Sequence, residues 1–286
     1  MSRSMSPAET ETSSPDDGAA RRPGRASSPS LTRWMRGLVG AAVVFGLVEL
    51  LTRAGLVSSS YLPPASSILR ETVGLFGDGE FRTSLWGTLK ACLIGLSLSV
   101  LVAVPVGLVL GLSPLVHKAT STILEFLRPI PSVALIPLAI LLYGRGTEMK
   151  VALAMYACVW PILFNTIYGI RSVDPVASDT ARVFGLGKIK TATRVHLRSA
   201  APFVYTGVKI AASIAVILVV SAELLAGGAA AGGIGILMLN ASSIGDQSRV
   251  YALTIVSGLI GLVLNLGFAS VERRLFPWNV QDDEAV

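Results

Sequence analysis

Charge is what this sequence is short of. Asp, Glu, Lys and Arg make up 15% of its 286 residues, against about a quarter in an average soluble domain, and the charges avoid several long apolar stretches. Cysteine and histidine are scarcer still, with two of each: Cys92, Cys158, His117 and His196. The cysteines lie inside apolar runs without CxxC spacing. That excludes a disulfide framework or thiolate metal site and leaves small core or lipid-facing residues. The histidines stand in separate loops far apart in sequence and give no support to a metal site. There is no Gly-rich run ending in Gly-Lys-Ser/Thr, no HExxH, no GxSxG with a plausible His partner, and no pair of carboxylates within one apolar run. Without a phosphate cradle the chain cannot hydrolyse ATP alone, and without a nucleophile–base or metal set it is not expected to be an enzyme or to bind a cofactor. A net charge of +6 would suit nucleic acid in a soluble protein. Here Lys and Arg sit between apolar runs, so membrane topology and anionic headgroups account for it better, with no nucleic-acid partner.

What is present is a series of apolar runs: Gly37–Val57, Leu85–Leu112, Thr120–Tyr143, Met149–Ile170, Ala200–Ala226 and Tyr251–Val271. Each is about as long as the ~20 residues a helix needs to cross the hydrocarbon core, and lipid offers no partners for a non-helical backbone. The expectation is an all-α membrane protein of about six transmembrane helices over 34–278. Residues 1–33, rich in Ser, Pro, Ala, Gly and charge, read as a disordered cytoplasmic tail, and 279–286 as a short cytoplasmic one. Arg21-Arg22 is followed by polar residues and no cleavage site, so a twin-arginine signal is not expected. Lys and Arg concentrate before the first run, between the fourth and fifth, and after the sixth. On the other side Arg70, Arg82, Arg145, Lys150 and Arg249 are balanced by acids. That bias places both termini and the long basic loop in the cytoplasm.

The basic loop, about 171–200, is the informative segment. Asp174-Pro175 starts a short helix, with Val176, Thr180, Val183 and Phe184 at helical spacing; Gly185-Leu186-Gly187 stops it. A second short amphipathic helix is expected from about Ile189 to Leu197. Such a pair is either a membrane-surface element held by lipid charge or a docking element for a cytoplasmic partner.

The loop resembles the EAA loop of ABC-importer permeases: Glu-Ala-Ala, three residues, Gly, nine residues, Ile, one residue, Leu-Pro. Asp179-Thr180-Ala181 stands for the triplet, Gly185 is the loop glycine, Val195 and Leu197 fall at the expected spacings, and Arg198 replaces the Pro. Three further stretches resemble the permeases for sulfonates, taurine, nitrate and pyrimidine precursors: Leu127–Leu138, Trp160–Thr166 with the following Asp174-Pro175, and Tyr61–Ile68. The resemblance implies a non-catalytic permease subunit with this coupling loop between helices 4 and 5. It implies pairing with a second permease copy, most simply as a homodimer, and delivery of a small solute by an extracytoplasmic binding protein. A cytoplasmic ATPase dimer would carry the ATP and Mg. The rival reading, an ion-coupled secondary transporter, needs coupling residues and usually an internal repeat, and no repeat is seen.

Charges within apolar runs are functional candidates by default. Lys90, Glu125 and Glu49 fit snorkelling near helix ends. Lys209 matches a basic position of related permeases and is a candidate for coupling, pairing with Asp179 or a partner carboxylate, or for simple anchoring. Glu223 matches a family acidic position and is a candidate for gating, for contact with the binding protein, or for anchoring at the outer interface. Asn165 and Thr166 could face a pathway or bond across helices. Pro129, Pro131 and Pro137 would kink the third run or open its hydrogen bonding. The run from Gly227 to Gly235 reads as a flexible outer loop or re-entrant turn.

Overall fold

The computed structural model describes residues 30–227 and 232–277. The expected tails at 1–29 and 279–286, and part of the Gly-rich run, lie outside the described residues. All described elements are helical: α1 (Ser30–Arg53), α2 (Ala65–Leu75), α3 (Gly79–Leu112), α4 (Pro114–Leu127), a 3-10 turn (Ser132–Leu135), α5 (Ile136–Tyr143), α6 (Thr147–Arg171), α7 (Pro175–Val183), α8 (Lys188–Thr191), a π turn (Ala192–His196), α9 (Leu197–Ala226), α10 (Ile234–Ser243) and α11 (Gln247–Leu275). The chain divides into Met1–Phe45 and Gly46–Val286. Helix α1 begins at Ser30, so helical structure reaches back into the segment expected to be tail.

Among the described residues, five helices are long and apolar enough to cross a membrane, and six spans result if one bent pair counts as a single span. The bent pair is the third run, which turns through 78° between α4 and the turn leading into α5. Arg128-Pro129-Ile130-Pro131 lies at the elbow. Two prolines remove two backbone donors, and the second forces Ile130 away from helical geometry.

Helices α3, α6 and α9 form the central trio. Ala91, Ala103, Ala154, Ala211 and Ala215 are buried where they meet, beside Cys158, Ile162 and Val219. On α3, Gly95, Gly107 and Gly111 face α6 so closely that a Cβ at each would lie 2.6–2.7 Å from the Ala154, Thr166 or Ile170 side chain. Small residues let apolar helices approach to dispersion range where no hydrophobic drive exists between them. The buried Ser99 hydroxyl reaches the Met155 carbonyl, 3.0 Å away, across the same seam. Large apolar side chains on the other faces, such as Leu101, Val109, Ile217 and Val263, are exposed, as a hydrocarbon surround requires.

Two short helices were not expected. Helix α2 and the apolar α10 both pack on α11, burying Leu75, Ile234, Leu237, Met238 and Leu253 together with Phe81. Neither is long enough to span, and each sits in sequence that reads as connecting loop. Glu49 is not a snorkelling anchor alone: its carboxylate accepts the Ser66 N–H of the first turn of α2 at 3.0 Å.

Asp78 caps α3 by accepting the Glu80 N–H at 2.9 Å and pairs with Arg249 of α11 at 2.7 Å. The backbone N–H of Glu80, then Arg249, hold its carboxyl below the usual aspartate range. A depressed folded value stabilises above the unfolded value, about 3.9, and that stability is lost as pH falls through the folded one. Asp78→Ala is therefore expected to lower the thermal midpoint at pH 7, and the difference from wild type should shrink below about pH 4. Parallel melts in detergent at the two pH values check this.

Candidate functional site

Helix α7 is built by local rules. Asp174 accepts the Val176 N–H at 2.9 Å, and Pro175 occupies the first helical position. At the other end Gly185 takes φ +72°, its N–H bonding the Arg182 carbonyl while the Leu186 N–H bonds that of Ala181. This double closure requires a left-handed residue, which glycine adopts without penalty. Ala181 is buried, and Ser178 Oγ lies 3.1 Å from His196 Nε2, so one face of α7 is pinned to the π turn. The opposite face is free. Asp179 points outward and pairs with Arg182 at 3.2 Å; Thr180 is exposed. Val183, Phe184 and Ile189 are 86%, 78% and 81% exposed.

The second short helix expected here is not separate. Helix α8 passes through the π turn into α9, giving one helix of 39 residues, Lys188–Ala226. Between Gly187 and Pro202 no residue breaks a helix, so the apolar run recruits the basic segment as its first turns. Val195 lies in the π turn and Leu197 just after it, both half-buried rather than on a free amphipathic face.

Two of the charges within the apolar runs, Lys209 and Glu223, find ion-pair partners on other helices. Lys209 pairs with Glu272 of α11 at 3.1 Å, not with Asp179. Glu223 does not sit at an interface: it and Lys150 of α6 form an ion pair at 3.0 Å with side chains 0% and 1% exposed. Around the carboxylate, Thr88 Oγ1 of α3 stands 3.0 Å from both oxygens, and the Gly235 N–H donates at 3.1 Å. Thr88 Oγ1 accepts the Ile234 N–H at 3.1 Å, while Lys150 also donates to the Gly232 carbonyl at 2.8 Å. The first turn of α10 is thus capped by side chains from α3 and α9. Gly233 takes φ +146°, and a Cβ there would overlap the Glu223 carboxyl. The site joins three spans to one end of the Gly-rich run.

By sequence Lys150 counts among the outer-side charges balanced by acids. The missed signal was its position, second in the run that starts at Met149, opposite a lone acid in another run. Asn165 Nδ2 donates back to the Pro161 carbonyl at 2.8 Å, and the residue lines a cavity of about 370 Å³ with Phe164, Ile167, Tyr168 and Arg171. Thr166 is fully buried and bonds its own helix. The proposed pathway residues are therefore not gathered in one place: Asn165 lines a cavity, whereas Lys209 and Glu223 are engaged in ion pairs. Lys90 and Glu125 are exposed.

A family model for binding-protein-dependent transport system inner membrane components matches residues 103–277. The chain belongs to this family. The match runs from the last ten residues of α3 to beyond the end of α11, including α7 and the capped α10. The taurine transport system permease protein TauC of Escherichia coli (strain K12) is 31% identical over 229 residues, covering 78% of this chain and 82% of that protein. The nitrate import permease protein NrtB of Leptolyngbya laminosa is 28% identical over 204 residues, 70% and 72% of the two chains. Among solved structures, an inward-facing conformation of the MetNI methionine ABC transporter aligns with a TM-score of 0.60 at 15% identity, covering 67% of this chain and 94% of that one. The chain is an inner-membrane permease subunit of ABC-importer type, with the all-helical fold of that neighbour.

Proposed function

We propose that this permease carries a small solute of the taurine, sulfonate, nitrate or pyrimidine-precursor kind, delivered by an extracytoplasmic binding protein. Two copies form the pathway as a homodimer, with both termini and α7 on the cytoplasmic side. Two ATPase subunits, which hold the ATP and Mg, grip α7 and the turn after it. The observation that carries the coupling role is the exposed Val183, Phe184 and Ile189 around Gly185, on a loop whose other face is pinned to the bundle. Apolar side chains outside the spans have no hydrocarbon to face, so a protein partner is their natural cover. The coupling set is Asp179, Thr180, Ala181, Gly185, Val195 and Leu197. Of these, Ala181, Val195 and Leu197 face inward and fix the loop, while Asp179 and Thr180 are presented to the partner.

The test is co-purification from detergent with the ATPase encoded beside it. Wild type should retain the ATPase, and Phe184→Asp should lose it, because burying an unpaired carboxylate costs several kcal/mol. Gly185→Arg should weaken it too, since an L residue is strained at φ +72°. Retention of the ATPase by Phe184→Asp would remove the loop from the interface.

A further inference from the structure

Arg128 is an unusual charge. It stands at the 78° elbow between α4 and α5, inside the third span, and it is exposed. Its guanidinium lies 4.7 Å from the centre of the Phe164 ring on α6. Phe164 is seven residues before the end of that helix at Arg171, so the cation is held about 10 Å inside the end of α6. An arginine reaching for headgroups would extend along the helix toward its end; this one is stacked at depth. Among the described residues no ion pair takes Arg128 or Arg171, and Glu125, one turn earlier on α4, is not engaged with it.

The neighbouring surface is polar for a membrane face. Asn165, Tyr168 and Arg171 follow at steps of three along α6, with Phe164 and Ile167 lining the same 370 Å³ cavity. Arg171 also lines a second cavity, of about 520 Å³, with His117, Lys118, Arg182 and His196; its one carboxylate, Asp179, is spent on Arg182. One turn above Phe164, the Trp160 indole N–H is enclosed without an acceptor. An unpaired arginine within a span does not face lipid; it faces water, a ligand or a partner. Asn165, Tyr168 and Arg171 supply donors and a cation, and the one carboxylate lining the adjoining cavity, Asp179, is paired with Arg182, which is the chemistry of an oxyanion path.

We propose that Arg128, with Asn165 and Arg171, forms an anion-selective lane through which a small oxyanion, a sulfonate or a planar anion such as nitrate, passes toward the α7 side. This rests on the ATP-coupled importer reading above and adds the residues that recognise the cargo. Arg171 alone would be explained by the basic bias of cytoplasmic ends; Arg128, at its depth, is not. The guanidinium fork matches an oxyanion's paired oxygens, whereas lysine offers a point charge.

The experiment uses the full chain with its co-expressed ATPase in phosphatidylcholine nanodiscs, with methanesulfonate and nitrate as probes against chloride at equal ionic strength. At least one probe should raise the unfolding midpoint of wild type. Arg128→Gln should need about tenfold more probe, or more, for the same shift, and Arg128→Lys should fall between. An equal response in wild type and Arg128→Gln, or none in wild type when the ATPase is bound, overturns the lane and leaves the importer reading standing. Failure of the ATPase to associate overturns both. Phosphatidylglycerol is then added without probe. A stabilisation that depends on Arg128 would mark the ligand as a lipid headgroup and overturn the role in cargo recognition.

Discussion

Lys150→Met should cost this protein about 3–5 kcal/mol of stability, while Lys150→Met combined with Glu223→Gln should recover most of it. The single change leaves a carboxylate that is 0% exposed without its cation. It also strips the Gly232 carbonyl of its donor. In the double variant the Gln carbonyl can still accept from Thr88 and the Gly235 N–H, and its amide can donate toward the Gly232 carbonyl. What remains is a satisfied neutral cluster, which is often no worse than a buried pair. Thermal unfolding in detergent, with size-exclusion profiles of wild type and both variants, decides the matter. A Lys150→Met protein as stable as wild type would show that the pair does not hold α10.

Gly107→Leu should be the second severe change. A Cβ at that position would stand 2.7 Å from the Thr166 Cβ and 3.2 Å from the Leu163 carbonyl. The rest of a leucine side chain would have to be accommodated by moving α3 away from α6. Overpacking of this kind costs about 1–3 kcal/mol and occasionally more. Gly258→Leu on α11 is the control, because nothing lies within 4 Å of its added Cβ, and it should stay within about 0.5 kcal/mol of wild type. Equal midpoints for the two variants would mean that the α3–α6 seam is not close-packed.

The spans were legible because length without charge is a one-dimensional property. Leu85–Leu112 and Ala200–Ala226 became α3 and α9 with small changes at their starts. Pro129 and Pro131 announced the elbow, though not its angle, since the angle depends on what Arg128 and Ile130 pack against. Helices α2 and α10 were hidden because a helix of ten or eleven residues leaves no mark in a run already rich in Ser, Pro or Gly. The local design of the α7 loop could be read at Asp174, Pro175 and Gly185, whose roles depend on neighbours in sequence. The partners of Lys150, Lys209 and Thr88 could not: they lie 73, 63 and 135 residues away, and only the packing of α3, α6 and α9 selects them. Lys209 illustrates this: Asp179 is the nearer acid in sequence, and Glu272 is the one that packing brings within 3.1 Å.

The continuity of α8 with α9 has a mechanical meaning. A helix of 39 residues measures about 58 Å, with Ile189 near one end and Glu223 near the other. Its compliant places, the π turn at Ala192–His196 and Pro202, both fall in the first few turns. Beyond Pro202 the helix is a stiff shaft clamped between α3 and α6. A tilt of about 5° of that shaft, about 36 Å from Pro202 to Ala226, sweeps its far end through about 3 Å, the length of a hydrogen bond in the cluster around Glu223. The compliant turns lie between α7 and the shaft, and the α10 cap lies at the shaft's far end, so α7 and the cap are joined through one continuous helix.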